Sequence, residues 1–102
     1  MNAFAALADP TRARIVDVLA SGAHTVNDIV ELFPISQPSI SRHLRVLREA
    51  GLVSVESAGR QRVYRLDPAP LREIDDWLAR YRKFWARKLD ALDSHLDEKG
   101  SA

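Results

Sequence analysis

The stretch Ser36–Gly51, SQPSISRHLRVLREAG, decides how this chain is read. It opens on a serine, whose hydroxyl takes up the free N–H groups at a helix start. It closes on a glycine, the residue that most readily ends a helix in the left-handed conformation. Pro38 is tolerated in a first turn, where no intrahelical N–H is lost. Between the ends, Ile40, Leu44 and Leu47 keep the i, i+4, i+7 spacing of a buried stripe. With Ile40 at zero and about 100° per residue, Pro38, Arg42, Arg45 and Glu49 gather near roughly 140–200°. Ser41 lies near roughly 100° and Gln37 near roughly 60°, on the rim of that face. A helix that packs on one side and offers guanidinium and hydroxyl groups on the other suits a DNA groove.

Upstream, Asn2–Leu7 reads as a short apolar helix. Asp9 followed by Pro10 is an N-cap with proline at the first helical position, starting a helix over Pro10–Ala20 that Ser21-Gly22 ends. Its inward residues are Ile15, Val18 and Leu19, with Leu7 from the helix before. Thr25-Val26-Asn27-Asp28 resembles a capping box, with Asp in the usual place of Glu. It opens a third helix, Val26–Phe33, which faces inward with Val26, Ile29, Val30 and Phe33. Pro34-Ile35 turns the chain into the helix capped by Ser36.

Downstream, Leu52–Glu56 and Gln61–Leu66 alternate apolar and polar residues around a Ser57-Ala58-Gly59-Arg60 turn, the pattern of a β-hairpin. Its tip and return strand bear Arg60, Arg62 and Arg65. Asp67-Pro68-Ala69-Pro70 breaks the chain before a final helix, Leu71–Leu96. That helix has a stripe of Leu71, Ile74, Leu78, Tyr81, Trp85, Leu89, Leu92 and Leu96. A second seam, Trp77, Phe84 and Ala91, recurs every seven residues. So wide an apolar face implies burial against the protein's own core on one side and against a partner subunit on the other. Glu98–Ala102 reads as a frayed end.

Composition sets outer bounds. A chain of 102 residues, 46% hydrophobic, forms one compact domain with a modest core. Its parts are a recognition helix at 36–50, a wing at 52–66 and a dimerisation helix at 71–97. There are no cysteines, which excludes disulfides and thiolate metal sites. No run is apolar enough to span a membrane, and the N-terminal segment reads as a helix and not a signal peptide, so a cytoplasmic protein is expected. Net charge is only +1, but residues 36–66 hold six arginines against Glu49 and Glu56, a surplus of four that leaves the rest at −3. A basic centre on an acidic frame is the footprint of a phosphate-binding face. Catalysis finds no support: there is no cysteine nucleophile and no glycine-rich phosphate loop. Asp75 and Asp76 are neighbours that diverge on a helix and make no acid–base pair.

The order of four helices, a basic hairpin and a last helix implies a mainly α winged helix-turn-helix. Gln37, Pro38, Ser39, Ser41, Arg42 and Arg45 are the candidate DNA contacts from the recognition helix, and Arg60 and Arg62 those from the wing. QPSISRHLRVLREAGLVSVESAGRQRVYRL resembles the DNA-binding half of the ArsR/SmtB family of bacterial repressors, and ALADPTRARIVDVL looks like its upstream signature. The likeness extends over about Phe4–Leu66, and over the final helix in pattern only. It implies a homodimer joined through its first and last helices, a palindromic double-stranded DNA operator, and repression. By motif position, Gln37, Ser39, Ser41 and Arg42 fall where that family reads DNA, and Gly59–Arg62 fall at its wing tip. Phe4, Leu7, Leu78, Tyr81, Trp85, Leu89 and Leu92 are the candidate dimer contacts.

The chain departs from the family where metals are sensed. The third helix reads DIVELFPIS, without the Cys-x-Cys of many members. His95 and Glu98 match the later half of a second family metal site, but Arg82 and Phe84 stand where its upstream half belongs. The chain therefore resembles the metal-independent branch, and no cofactor is expected. The alternative is a Zn, Ni or Co response through His and carboxylate groups of the last helix. Of the other histidines, His24 reads as a loop residue and His43, near roughly 300° on the fourth helix, as a packing residue.

Overall fold

Every early helix starts where a side chain occupies its free N–H groups. In a computed structural model, which describes residues 2–100 and side chains through residue 93, Asn2 caps helix α1 (Ala3–Leu7) and Asp9 caps α2 (Pro10–Ala20). Thr25 and Asp28 form the reciprocal capping box of α3 (Val26–Leu32), with Asp28 N–H on Thr25 Oγ1 at 3.1 Å and Thr25 N–H on Asp28 Oδ2 at 3.2 Å. Ser36 caps α4 (Gln37–Glu49). Strands β2 (Val53–Ala58) and β3 (Gln61–Leu66) follow, then α5 (Ala69–Gly100).

The end of α4 is set by Gly51, whose φ of +77° lies in the left-handed region. Gly51 N–H donates to Arg48 C=O and Leu52 N–H to Leu47 C=O, both at 3.0 Å. This is a Schellman ending, and both Leu47 and Leu52, which its outer hydrogen bond joins, are fully buried. The hairpin turns on Gly59-Arg60 alone, with Ala58 opposite Gln61. Gly59 has φ +64° while Arg60 keeps a negative φ, the pattern of a type II′ turn that matches strand twist.

One element escapes the sequence pattern. His24–Thr25 forms a two-residue strand, β1, which pairs antiparallel with β3 through His24 opposite Tyr64 and Thr25 opposite Val63. The sheet order is β1-β3-β2, so the wing is three-stranded at its base. His24 is therefore a strand residue and not a loop residue, with its Nδ1 2.8 Å from the Gly22 carbonyl. Two residues are too few for alternation to register, and only the tertiary pairing reveals them. Smaller differences are local. Phe33 is the extended C-cap of α3 and not its last turn. α5 begins two residues before Leu71, where Asp67 Oδ1 accepts from Ala69 N–H, and it runs to Gly100.

Cα packing divides the chain into two units, Met1–Arg72 and Glu73–Ala102. In the first, α4 packs on α1, α2, α3 and β2, and α2 also packs on β3. Ile15, Ile29, Ile40, Leu44, Leu47 and Leu52 are its fully buried centre. Each such side chain contributes about 1.5–3 kcal/mol by leaving water. Val16 is buried where Val18, half-buried, was expected to be. Arg12 locks the α1–α2 corner. Its Nε donates to Ala6 C=O at 2.7 Å and its Nη2 to Ala5 C=O at 3.4 Å, which also accepts the Ala8 N–H at 3.3 Å. The second unit is the body of α5, whose Trp77, Tyr81, Phe84, Trp85, Leu89 and Leu92 are all exposed in the single chain.

Candidate nucleic-acid interface

At the start of α4, Ser36 Oγ accepts from Ser39 N–H at 3.3 Å and donates to Ser39 Oγ at 3.1 Å. Arg42 Nη2 in turn donates to Ser39 Oγ at 3.1 Å. Ser39 is half-buried, and its hydroxyl holds the Arg42 guanidinium against the helix. Pro38 and Arg42 are exposed on the outer face of α4, near roughly 160–200° from Ile40.

Two adjoining grooves run between α4 and the wing. The first, about 310 Å³, is lined by Thr25–Asn27, by Gln37 and Ser41 of α4, and by Arg60–Arg62 and Tyr64 of the wing. The second, about 180 Å³, is lined by Ser41, Leu44, Arg45, Arg48, Arg62 and Tyr64. Ser41, Arg62 and Tyr64 border both, which makes one continuous cleft. No acidic residue lines either groove. Strand alternation explains why Arg62 turns toward α4: it shares a sheet face with Tyr64, Val55 and Val53, the face on which Tyr64 and Val53 are buried.

Of the residues picked from sequence, the structure brings Gln37, Ser41, Arg60 and Arg62 to the first groove and Ser41, Arg45 and Arg62 to the second. Pro38, Ser39 and Arg42 line neither. Arg65 leaves the basic set, because its Nε is 2.6 Å from Glu56 Oε1 and the two charges cancel across the strands. Asn27, Gln61 and Arg48 line the cleft and were missed as site residues. Arg48 had a signal, since Gln37, Ser41, Leu44 and Arg48 form an i, i+4, i+7, i+11 column along one flank of α4. Asn27 had none, because only β1 brings α3 beside the hairpin.

Asp9 stands at the other end of the packing. Burial alone would raise its pKa, but the N–H groups of Arg12 and Thr11 and the positive fields of His43 and Arg12 hold its carboxyl below the ordinary value.

On α5 the rings of Trp77 and Tyr81 lie 5.1 Å apart and those of Tyr81 and Trp85 6.5 Å apart. Phe4 of α1 is exposed, and Leu7 and Leu78 are half-buried. His95 and Glu98, the candidate metal pair, lie outside the described side chains. Among the described residues no group of three or more His, Cys, Asp or Glu is placed to hold a metal, and no helix is long and apolar enough to cross a membrane.

A helix pair that presents one basic face, flanked by a hairpin with two arginines beside it, is a winged helix-turn-helix of the kind that regulates transcription. Comparison with known proteins names the kind more closely. The sequence profile of the bacterial regulatory protein, arsR family, matches residues 9–55. The HTH-type transcriptional regulator Rv2034 of Mycobacterium tuberculosis is 42% identical over 99 residues, 97% of this chain and 90% of that protein. The transcriptional repressor SdpR of Bacillus subtilis is 40% identical over 80 residues, 78% of this chain and 89% of that one. A crystal structure of a possible transcriptional regulator for arsenical resistance superposes with a TM-score of 0.72 at 44% identity, over 93% of this chain and 96% of that one. The chain belongs to the ArsR family, and it is a transcriptional regulator and not an enzyme.

Proposed function

We propose that the chain is a homodimeric repressor that occupies a palindromic operator, with α4 in the major groove and the wing on the adjacent backbone. The observation that carries this reading is the acid-free cleft in which Gln37, Ser41, Arg45, Arg60 and Arg62 converge. Arg42 and Arg45 have the length and planarity for bidentate bonds to guanine O6 and N7 or to a phosphate, and Gln37 those for adenine N6 and N7. Ser39 acts through Arg42, whose guanidinium it orients. Arg60, at the turn, suits the minor groove, where a narrow width strengthens negative potential. Repression is carried over from SdpR, which is a repressor by name.

The dimer rests on the exposed aromatic and leucine face of α5, with Phe4 and Leu7 of α1 as further contacts. A second copy of the same helix is the partner that matches this face best, since both would bring the same apolar seams. The chain has no cysteine, so operator release is read as independent of thiolate metal sites.

The test is a binding titration against the inverted repeat selected from random-sequence duplexes. Arg42→Ala is expected to weaken operator binding by about 1–3 kcal/mol and to relax specificity at one base pair. An Arg42→Ala protein that holds the operator as tightly as the parent sinks the assignment of the groove face. Zn²⁺, Ni²⁺ and Co²⁺ at micromolar levels are expected to leave operator affinity unchanged. A metal-dependent shift replaces this reading with the metal-responsive one.

A further inference from the structure

Three of the cleft's arginines line its smaller half. Arg45 and Arg48 come from successive turns of α4, and Arg62 comes from β3. None of the ion pairs or side-chain hydrogen bonds among the described residues involves any of the three. No carboxylate lines the groove they share. The nearby strand arginine that has a carboxylate within reach, Arg65, takes it. Like charges left unpaired in a concave place repel one another, and an anion between them removes that cost. The groove is about 180 Å³, room for roughly six waters at about 30 Å³ each, so a partly hydrated phosphate fits.

We infer that Arg48, together with Arg45 and Arg62, forms a phosphate-binding site between α4 and the wing that grips one phosphodiester of the DNA backbone. The inference rests on the DNA-binding reading above and adds a residue and a role to it. Arg48 in the last turn also complements the helix dipole, but that role asks nothing of Arg62 and explains no convergence. The site assigns Arg62 to the backbone, beside α4, and leaves Arg60 alone at the tip. It gives the cleft a contact that is blind to sequence and fixes the angle at which α4 meets the duplex.

The experiment uses the full chain and a fluorescent random-sequence duplex, since a phosphate contact needs no operator. Binding is titrated from 50 to 200 mM salt for the parent, Arg48→Gln, Arg62→Gln, the double variant and Arg42→Gln. Each lost phosphate contact lowers the magnitude of the negative slope of log K against log salt by about 0.9, roughly a 3- to 4-fold change in affinity over that range. Arg48→Gln and Arg62→Gln are each expected to lower it so. The double variant is expected to lose less than the sum of the two, because both grip one phosphate. Arg48→Gln with an unchanged slope, while Arg42→Gln or Arg62→Gln alters affinity, overturns the site and leaves the DNA reading standing. A parent that binds no duplex overturns both. Melting of the parent in inorganic phosphate against chloride at equal ionic strength separates the sources. Stabilisation lost in Arg48→Gln without any duplex binding overturns the DNA backbone as the occupant. Helix content of each variant by circular dichroism excludes unfolding as the cause.

Discussion

Asp9 accepts hydrogen bonds from Thr11 N–H at 2.9 Å and Arg12 N–H at 3.3 Å and lies in the fields of Arg12 and His43. Those donors and charges lower its pKa in the folded chain, so the unfolded chain binds the proton more tightly. The resulting stability is present above the unfolded carboxylate range, about 3.9, and is lost as pH falls through the lower folded value. Asp9→Ala is expected to cost about 1 kcal/mol at neutral pH through the lost cap. Asp9→Asn keeps the acceptor and removes only the charge. Its urea midpoint is expected to fall below the parent's at pH 7 and to meet it in acid. Equal gaps at both pH values would remove the electrostatic part of this account. Arg12 makes the matching case from the cationic side. Arg12→Gln gives up the bonds to the Ala5 and Ala6 carbonyls, at about 1.5 kcal/mol, and amide exchange in α1 is expected to speed up more than in α3.

At the scale of elements, the helices were legible because their signals are local. Asp9-Pro10, the Thr25–Asp28 box, Ser36 and Gly51 each act within four residues, and α2 runs over the residues its caps predict. The stripe of Ile40, Leu44 and Leu47 is buried as its period requires. What sequence did not reveal depends on partners far along the chain. β1 exists because Tyr64 and Val63 pair with it, and Asn27 joins the cleft only through that pairing. The outer arginine face of α4 was readable from angles, but which flank meets the wing was not, since nothing local says where the hairpin lies. Arg65, counted in the basic centre, leaves it for the same reason: Glu56, nine positions away, pairs with it. The element boundary at Gly51 offers a direct check. A Cβ there meets Pro70 Cγ at 3.5 Å, an ordinary contact, so the cost of Gly51→Ala is that of the left-handed backbone. That is about 1–2 kcal/mol, read as a lower denaturant midpoint with unchanged slope. Gly51→Asn is expected to recover part of it.

At the scale of the whole molecule, the central question is how a small basic cleft becomes a selective regulator. One α4 reads only a few base pairs, and two copies joined rigidly read twice as many at a fixed spacing. The exposed face of α5, with Trp85 at 45%, Leu89 at 60% and Leu92 at 52% exposure, is the surface that would join them. Apolar side chains of this size, set at steps of three and four, are too many and too regular to leave in water. Leu89→Glu places a charge in the middle of that seam, at an exposed side chain. The variant is expected to sediment as a monomer at concentrations where the parent is a dimer, with the helix content of the parent retained. Its affinity for a random duplex is expected to change little, because each copy still has its own cleft. Its affinity for the two-half-site operator is expected to fall by about 10²–10⁴, the advantage that linking two binding modules supplies. A Leu89→Glu protein that stays dimeric shows that the copies meet elsewhere. A monomer that keeps full operator affinity shows that one cleft reads the whole site.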